Sequence, residues 1–125
     1  MKLTDEKIPG ANLVTAYSAN EVRIGEKVLQ RSCVLTAQQL IGDFRPQTLD
    51  GLTLADLETI FALDPEILVI GSGPRQYFPD PSLIGAVLSR GIGCEVMDTG
   101  AACRTYNVLV SEDRRVAAAL FLRGR

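Results

Sequence analysis

The chain has 125 residues, 46% of them hydrophobic and 22% charged, which is the composition of one folded domain with a real core rather than of a disordered segment. Thirteen basic residues against fifteen acidic ones give a net charge of −2, so no electrostatic excess points to nucleic acid. Histidine is absent, which removes His-based zinc sites, Ser-His and Cys-His dyads and imidazole acid–base catalysis.

The opening MKLTDEKIPG has no apolar centre after its lysine and is not read as a secretory signal. The longest apolar run, VAAALFL at 116–122, is too short to cross a bilayer, so no membrane insertion is expected. Cys33, Cys94 and Cys103 are odd in number and widely spaced, as expected of reduced thiols in the cytoplasm rather than of a disulfide framework.

Three β-rich stretches come first, NLVTAYS (12–18), EVRI (21–24) and KVLQRSCVLT (27–36), with turns at SANE and at Gly25-Glu26. The polar stretch AQQLIGDFRPQTLDG reads as a loop. In TLADLETIFAL, Leu54, Leu57, Ile60 and Phe61 share one helical face, Thr53 and Asp56 form a capping-box pattern, and Asp64-Pro65 ends the helix. EILVI (66–70) is short, apolar and β-branched, as a strand covered on both faces should be. The next helix is bounded by Asp80 as N-cap, Pro81 in the first turn and Gly91 after the last. GCEVM (93–97) reads as a strand, GAACRTYNVLV (100–110) as a helix and RRVAAALFL (114–122) as a final buried strand. A β-meander followed by β-α-β-α-β predicts an α/β (α+β) protein, a single domain over 1–125 with its core at about 12–122, built on a mixed sheet with helices packed against it.

The blocks GSGPRQYFPDP and RGIGCEVMDTGAACRTYNVL resemble a small family of unknown function that includes the mitochondrial complex I assembly factor 3 and bacterial stand-alone proteins. The likeness runs from about Asn12 to Leu122, and its most specific part is Asp-Thr-Gly followed by Ala-Ala-Cys-Arg-Thr-Tyr-Asn. The resemblance implies a three-layer fold around a mixed sheet, with the early strands as a hairpin-like addition. It implies no established enzyme activity, and it brings an assembly role only through the mitochondrial relative.

Two glycine turns carry the candidate chemistry. In GSGPRQ, Gly71 and Gly73 match the first half of a dinucleotide fingerprint, but Gln76 stands in place of its third glycine and the helix starts only at Pro81. The plainer reading is a tight exit of the backbone from the sheet. In DTGAACR, Asp98 or Thr99 can cap the helix, and Gly100 allows close approach to its N–H groups. Cys103 lies in the first turn beside Arg104, where dipole and guanidinium favour a thiolate, so it is the candidate reactive thiol. Cysteine is also a common buried packing residue. Arg104 needs an acceptor, and Asp98 is the nearest one in sequence.

If strands 66–70 and 93–97 are parallel, both turns share the carboxyl rim. That would bring Ser72, Arg75, Asp98, Thr99, Arg104 and Asn107 toward one crevice, suited to a small anion or metabolite; the plainer reading is a structural polar cluster, with Arg75 solvated and Arg104 locking the loop. Arg75, Tyr77 and Phe78 also form a candidate interaction loop, unless the rings fold back onto a helix. Glu95 is either a catalytic carboxylate or, on the plainer reading, a residue at the solvated end of its strand or paired with an arginine. No metal or cofactor is expected. The leading functional reading is a non-enzymatic interaction or assembly module with a protein partner. Anion binding is the alternative, and an enzyme comes last.

Overall fold

The computed structural model describes residues 10–124; the opening read above for a secretory signal lies, up to residue 9, outside the described residues. Three short strands, β1 (Val14–Tyr17), β2 (Val22–Ile24) and β3 (Lys27–Leu29), form an antiparallel meander. A second sheet contains β4 (Cys33–Leu35), β5 (Leu40–Ile41), β6 (Ile67–Ser72), β7 (Gly93–Met97) and β8 (Val116–Phe121) in the order β5-β4-β8-β6-β7. In it β6 runs parallel to both β7 and β8, while β4 is antiparallel to β8 and to β5. The parallel pairing considered for strands 66–70 and 93–97 is present, the last strand is parallel to β6 as well, and the sheet is mixed.

Alternation along the central strands divides the core in two. Leu68 and Ile70 of β6, Ala117, Ala119 and Phe121 of β8 and Val34 of β4 pack with α1 (Leu54–Phe61) and α2 (Pro81–Ser89). Val69, Ala118, Leu120 and Leu35 point the other way, toward α3 (Thr99–Ser111) and the meander residues Val14, Val22 and Ile24. The layers are therefore α1 and α2, the five-stranded sheet, and α3 with the meander. Every residue of β8 is buried because both of its faces are covered, which is why VAAALF shows no polar alternation.

The helix signals act as their chemistry requires. Thr53 and Asp56 form the reciprocal capping box, and Asp80 accepts the Ser82 N–H at 2.9 Å with Pro81 following it. Gly91 takes φ +74° just past α2.

Two stretches differ from the sequence reading. The single strand expected over 27–36 is broken into β3 and β4, which belong to different sheets. The break is held by Ser32, 1% exposed, whose hydroxyl lies 3.0 Å from the Phe44 carbonyl and 2.5 Å from that of Pro46. The stretch read as a polar loop contains β5, a 3-10 turn at Leu49–Gly51, and the core residues Phe44 and Leu49, with buried Leu52 just after it. Its arginine is also structural: Arg45 clamps the Asp56 carboxylate at 3.0 and 2.6 Å.

Candidate functional site

The parallel pairing of β6 and β7 brings the two glycine turns to one rim, and hydrogen bonds then join them. The Gly73 N–H donates to Thr99 Oγ1 at 2.8 Å, and the Thr99 N–H donates to the Gly73 carbonyl at 2.8 Å. The Thr99 hydroxyl in turn donates to the Phe121 carbonyl at the end of β8. Ser72 is fully buried; its hydroxyl lies 2.6 Å from the Arg75 carbonyl and 3.1 Å from that of Met97, and accepts the Tyr77 N–H at 3.0 Å. Both hydroxyls are engaged in fixing backbone.

The glycines serve the same closure. A Cβ on Gly71 would stand 2.9 Å from Thr99 Cα, and one on Gly100 would stand 2.8 Å from the Tyr17 ring. Gly73 has φ +106°, and a Cβ there would come 2.5 Å from the Arg123 carbonyl oxygen. Close approach of α3 to β6, β8 and the meander is what these positions require.

Of the six residues expected to converge, Arg75 is exposed on its loop and the other five separate into two groups. Ser72, Asp98 and Thr99 do meet at the rim. Arg104 and Asn107 lie further along α3 and face β1. Asn107 accepts the Val14 N–H at 3.0 Å and donates to the Val14 carbonyl at 2.7 Å, as a neighbouring strand would. Arg104 donates to the Tyr17 hydroxyl with its guanidinium carbon 6.0 Å from that ring, so the acceptor chosen by sequence proximity, Asp98, is not the one it uses. Six positions along a helix is a rise of about 9 Å, too far for that pairing. Asp98 instead accepts the Ala101 N–H at 2.9 Å as the α3 N-cap.

A cleft of about 230 Å³ opens at this rim between Tyr17, Gly73, Pro74, Asp98, Gly100 and Leu122. Asp98 is the only charged residue among its described walls, and neither Arg75 nor Arg104 lines it. An anion there would meet a carboxylate at a helix end whose Thr99, Ala101 and Ala102 N–H groups already have acceptors. The arrangement does not favour an anion. The larger hollow, about 340 Å³, lies elsewhere, among Leu63, Asp64, Val110, Asp113, Arg114 and Arg115. Arg114 in its wall is paired with Glu66 at 3.0 Å.

Cys103 is fully buried, and its pKa is pushed up to about 12, chiefly by that burial and then by Cys33 beside it, while Arg104 lowers it by less. It is a protonated core thiol at neutral pH, the opposite of the thiolate that its helix position favoured. Cys33 is likewise raised to about 12 by burial. The loop aromatics part company: Tyr77 is half-buried against the α1/α2 side of the core, whereas Phe78 is 64% exposed. Arg75 is exposed. Glu95 is exposed too, with no ion pair among the described residues. Sequence reasoning missed Tyr17, which walls the cleft and receives Arg104 from 87 positions away. No local signal marks it.

Comparison with known proteins bears on this geometry. The chain is 38% identical over 113 residues to the NADH dehydrogenase [ubiquinone] 1 alpha subcomplex assembly factor 3 of Xenopus tropicalis, with 86% of this chain covered. That alignment spans only 59% of the Xenopus protein, so the chain corresponds to about three fifths of that relative. It is 32% identical over 123 residues to the "13 kDa major membrane protein" of Francisella tularensis subsp. holarctica (strain LVS), covering 94% of this chain and 96% of that one. Among the described residues no helix is long and apolar enough to cross a membrane. A Bordetella parapertussis crystal structure superposes with a TM-score of 0.84 at 32% identity, covering 92% of this chain and 98% of that one. A Bordetella pertussis solution structure described as an Mth938-like domain gives 0.82 at 28% identity, covering 99% and 94%. The family model described as "Protein of unknown function (DUF498/DUF598)" matches residues 14–121, and the chain belongs to that family.

Proposed function

We propose that this chain is a non-enzymatic protein-interaction module that acts in the assembly of a partner complex, in the cytoplasm and without a cofactor. The observation that carries the reading is the loop after β6. Its aromatic Phe78 is presented 64% exposed on backbone fixed by Ser72 and flanked by Pro74, Pro79 and Pro81. A ring held out on a pre-ordered loop loses little further freedom when a partner covers it. The rim hydroxyls and the Cys103 thiol, by contrast, are tied into the fold. The assembly-factor names of the relatives agree with this reading. The membrane name of the Francisella relative suits a module carried to a membrane by its partner.

The test is a pair of measurements on the same variants, melting temperature and recovery of a specific partner from the native extract. Phe78→Ser should weaken that partner by about 2 kcal/mol, the scale of an interface anchor, with a near-native melt. Tyr77→Ser should lower the melt, because that ring packs on the core. Undiminished recovery with Phe78→Ser, or a large drop in its melting temperature, would return the loop to architecture.

A further inference from the structure

The five-stranded sheet has two edges. One is β5, two residues long; the other is β7, five residues long and in unbroken register with β6. The hydrogen bonds fix which backbone groups of β7 face outward. The Gly93 N–H donates to the Glu66 carbonyl at 2.9 Å, and the Ser72 hydroxyl lies 3.1 Å from the Met97 carbonyl, so Gly93 and Met97 face β6. In-plane alternation then turns the N–H and C=O of Cys94 and Val96 outward and those of Glu95 inward. Gln76 agrees: its Nε2 donates to the Val96 carbonyl at 3.0 Å, where the N–H of a next strand would stand.

We propose that the β7 edge accepts an extended segment of a partner protein in antiparallel pairing, with a lysine or arginine of that segment opposite Glu95. This rests on the interaction-module reading above and names the form its partner takes. Exposed edges are usually blunted by charge, proline, a bulge, short length or a covering loop, and of these β7 has only one charge and the Gln76 amide set on Val96. It carries one charge, Glu95, exposed and without an ion pair among the described residues. Because the Glu95 backbone faces inward, an added antiparallel strand meets it as a non-hydrogen-bonded pair. There opposing Cα atoms approach to about 4.5 Å, and an opposite charge acts at its closest. A second copy of this chain does not fit that requirement. The strand GCEVM has no basic residue, and antiparallel self-pairing centred on Glu95 sets two carboxylates face to face. The Gln76 amide is a removable cover on Val96, and Phe78, two positions on, offers an apolar contact on the same loop.

The test uses the full chain, isotope-labelled for amide spectra. The probes are two capped heptapeptides of alternating valine and threonine, one with lysine at its centre and one with glutamate. At millimolar concentration the lysine peptide should shift the Cys94 and Val96 amides and slow their exchange, binding about two- to five-fold tighter than the glutamate peptide. Glu95→Lys should invert that preference, and Gln76→Ala should tighten binding by uncovering the Val96 carbonyl. Cys94→Pro deletes an outward N–H that no bond among the described residues uses, and should abolish binding where Cys94→Ala keeps it. If Cys94→Pro does not fold, the charge inversion decides alone. Unmoved Cys94 and Val96 amides, or binding with no charge preference at Glu95, overturns the proposal. So does protection of those amides by self-association without peptide. Native-partner recovery separates the two readings: loss with Phe78→Ser but not with Cys94→Pro ends the edge proposal and leaves the module, while loss with neither ends both.

Discussion

Thr99→Val replaces a buried hydroxyl by a methyl group of nearly the same shape, so it isolates what that hydroxyl does. Thr99 is 6% exposed, and its Oγ1 both accepts the Gly73 N–H at 2.8 Å and donates to the Phe121 carbonyl. The variant leaves the Gly73 N–H buried without that acceptor, at a cost of about 1–3 kcal/mol, and removes one donor from Phe121, about 1 kcal/mol more. The Thr99 N–H bond to Gly73 survives, since it is main chain. The expected loss is about 2–4 kcal/mol, a large share of the ~5–15 kcal/mol by which domains of this size are stable. A fall of about 10 °C in melting temperature should accompany it. Urea unfolding of the wild type, Thr99→Val and Thr99→Ser measures this directly. The serine variant keeps the hydroxyl and should lose about 1 kcal/mol for its missing methyl. A valine variant within 0.5 kcal/mol of wild type by that assay, at unchanged slope, would refute the view that this rim is a structural knot. Thr99 would then be available for a ligand.

Asn107→Ala removes both side-chain bonds to the Val14 backbone and should cost about 2 kcal/mol, with amide exchange in β1 to β3 accelerating before that of β6 and β8. Cys33 and Cys103 should resist alkylation at neutral pH until the chain unfolds. Their folded values of about 12 lie above the usual 9.0, so stability holds below pH 9 and declines as pH rises from 9 toward 12. Asp56 behaves in the opposite sense: the Arg45 clamp holds its carboxyl below the usual 3.8, so this contribution is present above pH 3.8 and is lost as pH falls through the depressed value. Arg45→Ala should therefore be destabilising at neutral pH and converge with wild type in strong acid, as followed by denaturation at a series of pH values.

What was legible in the sequence is what local physics decides. The strands β6, β7 and β8, the caps at Thr53, Asp80 and Asp98, and the left-handed glycine after α2 depend on neighbours a few positions away. The parallel order of β6 and β7 follows from the helix between them. The remainder was decided at a distance. Ser32 breaks a continuous β pattern because carbonyls 12 and 14 positions on need its hydroxyl. Arg104 finds Tyr17 and Asn107 finds Val14, 87 and 93 positions back, and neither pairing leaves a trace in the intervening sequence. The two readings open for Cys103 are separated by a related effect. Its helix position argues for a thiolate, but burial is a tertiary property and outweighs both dipole and guanidinium.

The two blocks that carry the family resemblance are the blocks that close the rim. Gly71, Gly73 and Gly100 let three elements approach within contact, and Ser72 and Thr99 then bond the backbone groups that this approach leaves without ladder partners. Residues that look like a phosphate loop and a capped, thiol-bearing helix thus do mechanical work. A rim so closed has little freedom to reorganise around a substrate, and the one charged residue among the described walls of its cleft, Asp98, already caps a helix. It can hold other things still. The loop from Pro74 to Pro79 leaves the knot with Phe78 outward, and the same loop sets Gln76 across the free edge of β7. Rigidity at the rim fixes the position of both surfaces, which is what the proposed recognition of another protein requires of the core.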